Sequence, residues 1–147
     1  MASRLITGPA ILEALAAAVP EPIRSRLPPP CLLDMQAEPV EYAEGERLVM
    51  RFPLLERYRN PFGYMQGGFL MAALDNTIGP FQFLIAPPSV TSQVTIQYVR
   101  PVTYEQTHVT CVATVLERTR RTLYVTGHAL LGDGKVAAIA QATCQIV

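Results

Sequence analysis

Charge is scarce in this chain and leans to neither sign: 16% of residues are charged, and twelve basic side chains offset twelve acidic ones. With no field of one sign to draw the chain onto a phosphate backbone, the composition argues against nucleic-acid binding. Cysteine is sparse as well. Cys31, Cys111 and Cys144 are an odd number without C-x-x-C spacing, which speaks against a disulfide framework and a zinc ligand set and suits a reducing cytoplasm. No apolar run reaches the roughly 20 residues that a bilayer-spanning helix needs, because Glu13, Asp75 or prolines interrupt each one. Neither internal repeats nor low-complexity tracts compete with an ordinary packed domain.

What is present is apolar: half of the 147 residues are hydrophobic. A chain of this size buries roughly two thirds of the surface it exposes when unfolded, enough for one domain and not two. Ile11, Leu12, Leu15 and Val19 recur at helical spacing, and the prolines from Pro20 to Pro30 end helical structure. Residues 1–30 therefore form a helix and a rigid, proline-rich lead-in to the main domain over 31–147. Arg4 and Ala16-Ala17-Ala18 resemble a secretory leader, but Glu13 in mid-run favours an amphipathic helix.

Strand-like runs are expected at 32–42 and 46–54, joined at Glu44-Gly45-Glu46. From Asn60 to Val99 the one charged side chain is Asp75. A helix through Phe69 to Leu74 has no polar face and must be wrapped on nearly every side, with Gly79-Pro80 weakening or ending it. Beyond Pro87-Pro88, Val94, Ile96 and Tyr98 alternate with polar residues as in a half-buried strand. Further strands are expected at 106–117, 121–132 and 136–146, the last two joined at Asp133-Gly134. An α+β arrangement, with an antiparallel sheet curled around one apolar helix, lets both elements bury what neither can expose.

Asp75 is the first functional candidate, since a lone carboxylate in an apolar helix is costly to bury and its pKa is expected to rise, as general bases require. Gly67 and Gly68 fall where that helix begins. Their unpaired N–H groups can face an incoming carbonyl oxygen, or they form a plain turn.

The segment Asn60-Pro-Phe-Gly-Tyr-Met-Gln-Gly-Gly-Phe-Leu-Met-Ala-Ala-Leu-Asp75-Asn resembles the signature of the hotdog-fold acyl-coenzyme A thioesterases of the phenylacetate-pathway and 4-hydroxybenzoyl type. In that signature an Asn precedes His-Gly-Gly, and an acidic residue follows nine positions after the His. Asn60, Gly67, Gly68 and Asp75 match it, and Thr91 matches a Ser or Thr that lines the family's site. Gln66 replaces the His. An amide cannot titrate near neutral pH, so it cannot serve as acid or base there.

The resemblance implies a hotdog fold and hydrolysis of a fatty or aromatic acyl-coenzyme A, with coenzyme A as part of the substrate and no resident cofactor or metal. Asp75 is then general base or nucleophile. The N–H of Gly67 is oxyanion donor, Asn60 and Gln66 orient the carbonyl end or hold the loop, and Thr91 positions the water or Asp75. Eight residues of helix separate Gly67 from Asp75 by about 12 Å, too far for one reacting atom to meet both. A shared site then requires a homodimer, possible also as a dimer of dimers, which is how the resembled family is built.

Several further residues stay open between two roles. Phe62 and Met65, with Tyr64, Phe69, Phe81 and Phe83, either line an acyl tunnel or belong to the core. Arg118 and Arg120, beside Arg121, either meet the phosphates of coenzyme A or form a solvated turn. His108 and His128 have no metal-ligand spacing and are expected to be structural or exposed. Two alternatives use the same fold, a non-catalytic acyl-thioester-binding domain and a hydratase or dehydratase. The absence of His between Asn60 and Tyr98 disfavours the second.

Overall fold

The computed structural model describes residues 2–147. Seven strands form a single antiparallel sheet: β1 (Leu5–Thr7), β2 (Glu38–Ala43), β3 (Arg47–Pro53), β4 (Ser89–Tyr98), β5 (His108–Arg118), β6 (Thr122–Leu130) and β7 (Val136–Ile146). They lie in the order β1-β2-β3-β5-β6-β7-β4. Among the described residues three α-helices accompany them, α1 (Ala10–Ala18), α2 (Pro30–Asp34) and α3 (Gly67–Ile85), with short 3-10 turns at Arg24–Arg26 and Glu56–Tyr58. The chain leaves β3, runs through α3 across the sheet, and enters β4 at the far edge, pairing there with β7. This is the hotdog arrangement: a sheet wrapped around a long central helix.

Small residues make the wrapping close. Ala113 of β5, Gly127 and Ala129 of β6, and Ala140 and Ala142 of β7 form a buried floor. A Cβ on Gly127 would lie 3.2 Å from Leu74 Cδ2 and 3.3 Å from Ile78 Cδ1, so the absent side chain sets how near α3 approaches the sheet. Leu74 and Ile78 are buried in this seam, each contributing about 1.5–3 kcal/mol by leaving water. From α1, Ile11 and Leu15 are buried.

The expected strands are present, with three departures. Residues 32–34 are helical, because Pro29 takes an extended conformation and Pro30 starts α2 at the position where a missing N–H costs least. The segment before α1 adds β1, whose pairing with β2 carries the sheet one strand further. Pro80 does not end α3, which continues to Ile85: Phe81 and Gln82 are buried beyond it, and packing on that side outweighs the hydrogen bond that proline removes. No helix among the described residues is long and apolar enough to cross a membrane.

Candidate active site

The start of α3 is held by a braced loop. Asn60 Oδ1 accepts from the N–H groups of Phe62 and Tyr64, both at 3.0 Å, and Gly63 turns the chain with φ of 82°. Met65 N–H donates to the Val102 carbonyl at 2.9 Å, and Gln66 N–H donates to the Tyr58 carbonyl at 2.7 Å. The rings of Tyr58 and Phe69 stack at 4.3 Å, which fixes the entry angle of the helix. Gln66 is the N-cap residue, and its side-chain oxygen accepts from Phe69 N–H at 3.3 Å. The amide thus fills the role that Ser, Thr, Asp or Asn usually takes at this position.

With Phe69 capped, the N–H groups of Gly67 and Gly68 have no acceptor among the described residues. Tyr98, from the end of β4, lies over Gly67 and donates its hydroxyl to the Gly67 carbonyl at 2.7 Å. Asn60, Gly67, Leu70 and Tyr98 line a cavity of about 370 Å³ here.

Asp75 lies two turns along α3, on the side that faces the edge strand β4. The expectation of a helix enclosed on nearly every side is not met within one chain: Gly68, Phe69 and Asp75 are exposed, and Met71 and Ala72 are half-buried. Sheet and α1 cover the rest of α3, leaving the side next to β4 open. Across that opening Thr91 Oγ1 donates to Asp75 Oδ1 at 3.3 Å.

Behind Thr91 runs a buried polar chain. Ser89 Oγ donates to Gln82 Oε1 at 2.7 Å, and Gln82 Nε2 donates to Thr91 Oγ1 at 3.4 Å. Both Gln82 and Ser89 are buried, so the carboxylate is held through three side chains anchored in the interior. Cys144 stands opposite Thr91 on β7. Burial pushes its thiol up, the nearby Asp75 charge adds to this, and the Thr91 hydroxyl opposes it.

The remaining candidates are dispersed. Met65 is buried in the core, whereas Phe62 is 84% exposed. Arg118 donates to the Ile85 carbonyl at 3.0 Å, at the opposite end of α3 from Gly67, and Arg120 is exposed in the β5–β6 turn. Within the chain, two groupings therefore exist: Asn60, Gln66, Gly67 and Gly68 at the helix start, and Asp75 with Thr91 about 12 Å further on. Sequence reasoning missed Tyr98, Gln82 and Ser89. A buried glutamine in an apolar helix and a serine just past two prolines were the available signals. Among the described residues, no three His, Cys, Asp or Glu side chains gather as a metal site would require.

Comparison with known proteins gives a family match over residues 62–138, to the Thioesterase superfamily. No curated protein matches the sequence. Among solved structures, the conserved protein PA5202 of Pseudomonas aeruginosa is 31% identical, with a TM-score of 0.74 over 86% of this chain and 100% of that one. The PaaI protein of the E. coli phenylacetic acid degradation operon is 15% identical, with a TM-score of 0.80 over 93% and 96%. A third, smu.793 from Streptococcus mutans bound to acetyl-CoA, is 17% identical, with a TM-score of 0.67 over 71% and 83%.

Proposed function

This chain belongs to the Thioesterase superfamily and is a thioester hydrolase, and we propose that it cleaves acyl-coenzyme A at a site completed by a second copy. The observation that carries this is the placement of Asp75: the one carboxylate between Asn60 and Val99 stands on the open side of α3, gripped by Thr91. A carboxylate held on one oxygen and accessible on the other is suited to remove a proton from water or to attack a carbonyl carbon directly.

In the reaction, water oxygen bonds to the thioester carbon, the C–S bond breaks, and the proton taken by Asp75 passes to the leaving sulfur. If Asp75 attacks instead, the C–S bond breaks and the thiolate leaves as the mixed anhydride forms; water then hydrolyses the anhydride, freeing the acid and the Asp75 carboxylate and supplying the proton that the thiolate takes. The charge that builds on the carbonyl oxygen is met by the N–H of Gly67, with Gly68 letting the substrate approach the backbone. Because that N–H and Asp75 of one chain lie about 12 Å apart, each site takes its donor from one subunit and its carboxylate from the other. Twofold pairing supplies two such sites.

Coenzyme A enters as part of the substrate, and every step uses protein groups and water. The likeness to a protein bound to acetyl-CoA supports that carrier. Asn60 and Gln66 act by holding the loop and cap that aim the Gly67 N–H. Three free cysteines, Cys31 exposed among them, suit a reducing cytoplasm.

A panel of acyl-coenzyme A thioesters with thiol detection tests the reaction, and mixing two inactive variants tests the sharing. Asp75→Asn and Gly67→Val homodimers should each be nearly inactive. After subunit exchange, the mixed dimer carries one intact site and regains a substantial fraction of wild-type activity. Thiol release by an isolated monomer, or no recovery on exchange, would refute the shared site.

A further inference from the structure

An apolar pocket of about 250 Å³ opens beside Asp75, between the middle of α3 and the segment that precedes β2. Gly79, Pro80 and Phe83 form its helical side, and Leu15, Leu27 and Leu32 form the facing side. Asp75 and Thr91 line this pocket, and both also line the open groove that runs along Gly68, Met71 and Val94. The carboxylate therefore stands where groove and pocket meet.

Two features of the sequence make the pocket. A Cβ on Gly79 would meet nothing within 4 Å, so the surface of α3 is notched one turn beyond Asp75. The facing side comes from residues before position 33, outside the span 62–138 that matches the family. Apart from Asp75 itself, no charged side chain lines the pocket. An anionic group entering it would lose its hydration and meet the Asp75 carboxylate with no cation to offset the cost, since Asn76, Gln82 and Thr91 are the other polar side chains of the lining.

Building on the reaction assigned above, we propose that this pocket takes the tail of the acyl group, that it selects compact uncharged acyl chains, and that Gly79 keeps it open. A carbonyl held at Asp75 places the thioester at the mouth and the tail inside. At about 30 Å³ for each heavy atom, the volume of one molecule of liquid water, the cavity holds roughly eight atoms. That is a straight chain of roughly eight carbons, or a ring on a short spacer. Each methylene drawn into it should raise kcat/KM by about fourfold until the space is filled.

The test uses the full chain and a ladder of straight acyl-coenzyme A thioesters from acetyl to dodecanoyl, with kcat/KM read by thiol release. Non-hydrolysable thioether analogues of the same lengths give Kd by calorimetry. Wild-type values should improve to about eight carbons and then decline. Gly79→Leu, which places a better helix former in the notch, should lower kcat/KM for the octanoyl substrate at least tenfold while leaving acetyl within threefold. It should weaken the octanoyl thioether in parallel. Leu32→Ala should shift the optimum toward longer chains.

A folded Gly79→Leu variant that keeps the wild-type ratios along the ladder overturns the pocket assignment, whatever the fate of the reaction. If no thioester releases thiol, the hydrolytic reaction fails, and the thioether ladder still decides the pocket: a length-dependent loss in Gly79→Leu upholds it, and an unchanged ladder overturns it.

Discussion

The ring of Tyr98 covers Gly67 so closely that a Cβ on the glycine would lie 2.8 Å from the tyrosine Cζ. Strand β4 and the start of α3 are thereby joined through a residue that has no side chain, with the tyrosine hydroxyl tied to the glycine carbonyl. Gly67→Ala should force the ring aside and lower stability, and adding Tyr98→Ala should return part of the loss. Urea unfolding of both singles and the double should give a coupling of about 1 kcal/mol or more. Additive effects would mean that the contact is loose.

Asp75→Asn should reduce kcat/KM by roughly 10²–10⁴-fold, the range for loss of a positioned acid–base group. Because Asp75 is exposed in the single chain, stability should change by no more than about 0.5 kcal/mol. Wild-type rates in this variant would remove Asp75 from the chemistry.

Gln66→Ala deletes the side-chain acceptor for Phe69 N–H and should cost about 1 kcal/mol in thermal or chemical unfolding. Gln66→His should keep activity within about tenfold, a barrier change of roughly 1.4 kcal/mol, if the side chain supports the helix start and takes no part in proton transfer. A folded but inactive Gln66→His protein would assign the amide a direct role at the substrate.

How far the site could be read from the sequence differs between its two ends. Asp75 stood out as a lone carboxylate in apolar surroundings, whereas Gly67 and Gly68 by themselves read equally as a plain turn and became site candidates through their register with Asn60 and Asp75 in the resemblance to the hotdog thioesterase signature. The chain of Ser89, Gln82 and Thr91 did not stand out, since it is made by a helix and a strand meeting in space and leaves no local spacing. The strand expected at 136–146 coincides with β7, where the hairpin signal at Asp133-Gly134 marks its start. Pro80 misled in the opposite direction: a proline's local cost was visible, and the burial of Phe81 and Gln82 that overrides it was not. The exposure of Asp75 was also hidden, because an apolar sequence does not say which copy of the chain covers it.

Thr91→Val keeps the shape of the side chain and removes the hydroxyl that grips Asp75. It should lower kcat about tenfold with little change in KM, as expected when a residue positions a group and leaves substrate binding alone. Gln82→Met should act in the same direction and also cost about 1–3 kcal/mol of stability, since Ser89 is left buried without its acceptor.

Thiol chemistry should separate the three cysteines. Burial pushes the Cys111 thiol up to about 12, with the Thr77 hydroxyl opposing the shift, and Cys144 is raised as well. At pH 8 a disulfide reagent should titrate only the exposed Cys31 in the native protein and all three after denaturation. The sign for stability follows from linkage: the folded state binds the Cys111 proton more tightly than the unfolded chain. Its contribution is full below about pH 9 and is lost as pH rises toward about 12. Rapid modification of all three thiols in native protein at pH 8 would contradict this.

The two borders of the sheet are unequal. On one side the last strand, β1, has 3 residues; on the other, β4 has 10. A border so short offers little to a newcomer, whereas a long one with unpaired backbone groups is a template for further pairing. Growth of such a sheet is therefore one-sided. When two copies meet border to border about a twofold axis, each uses up the long margin of the other, and the remaining margins are too short to recruit a third. In the pairing that the proposed shared site calls for, the same feature that admits a second copy would thus also stop growth, giving a closed particle and not a fibre.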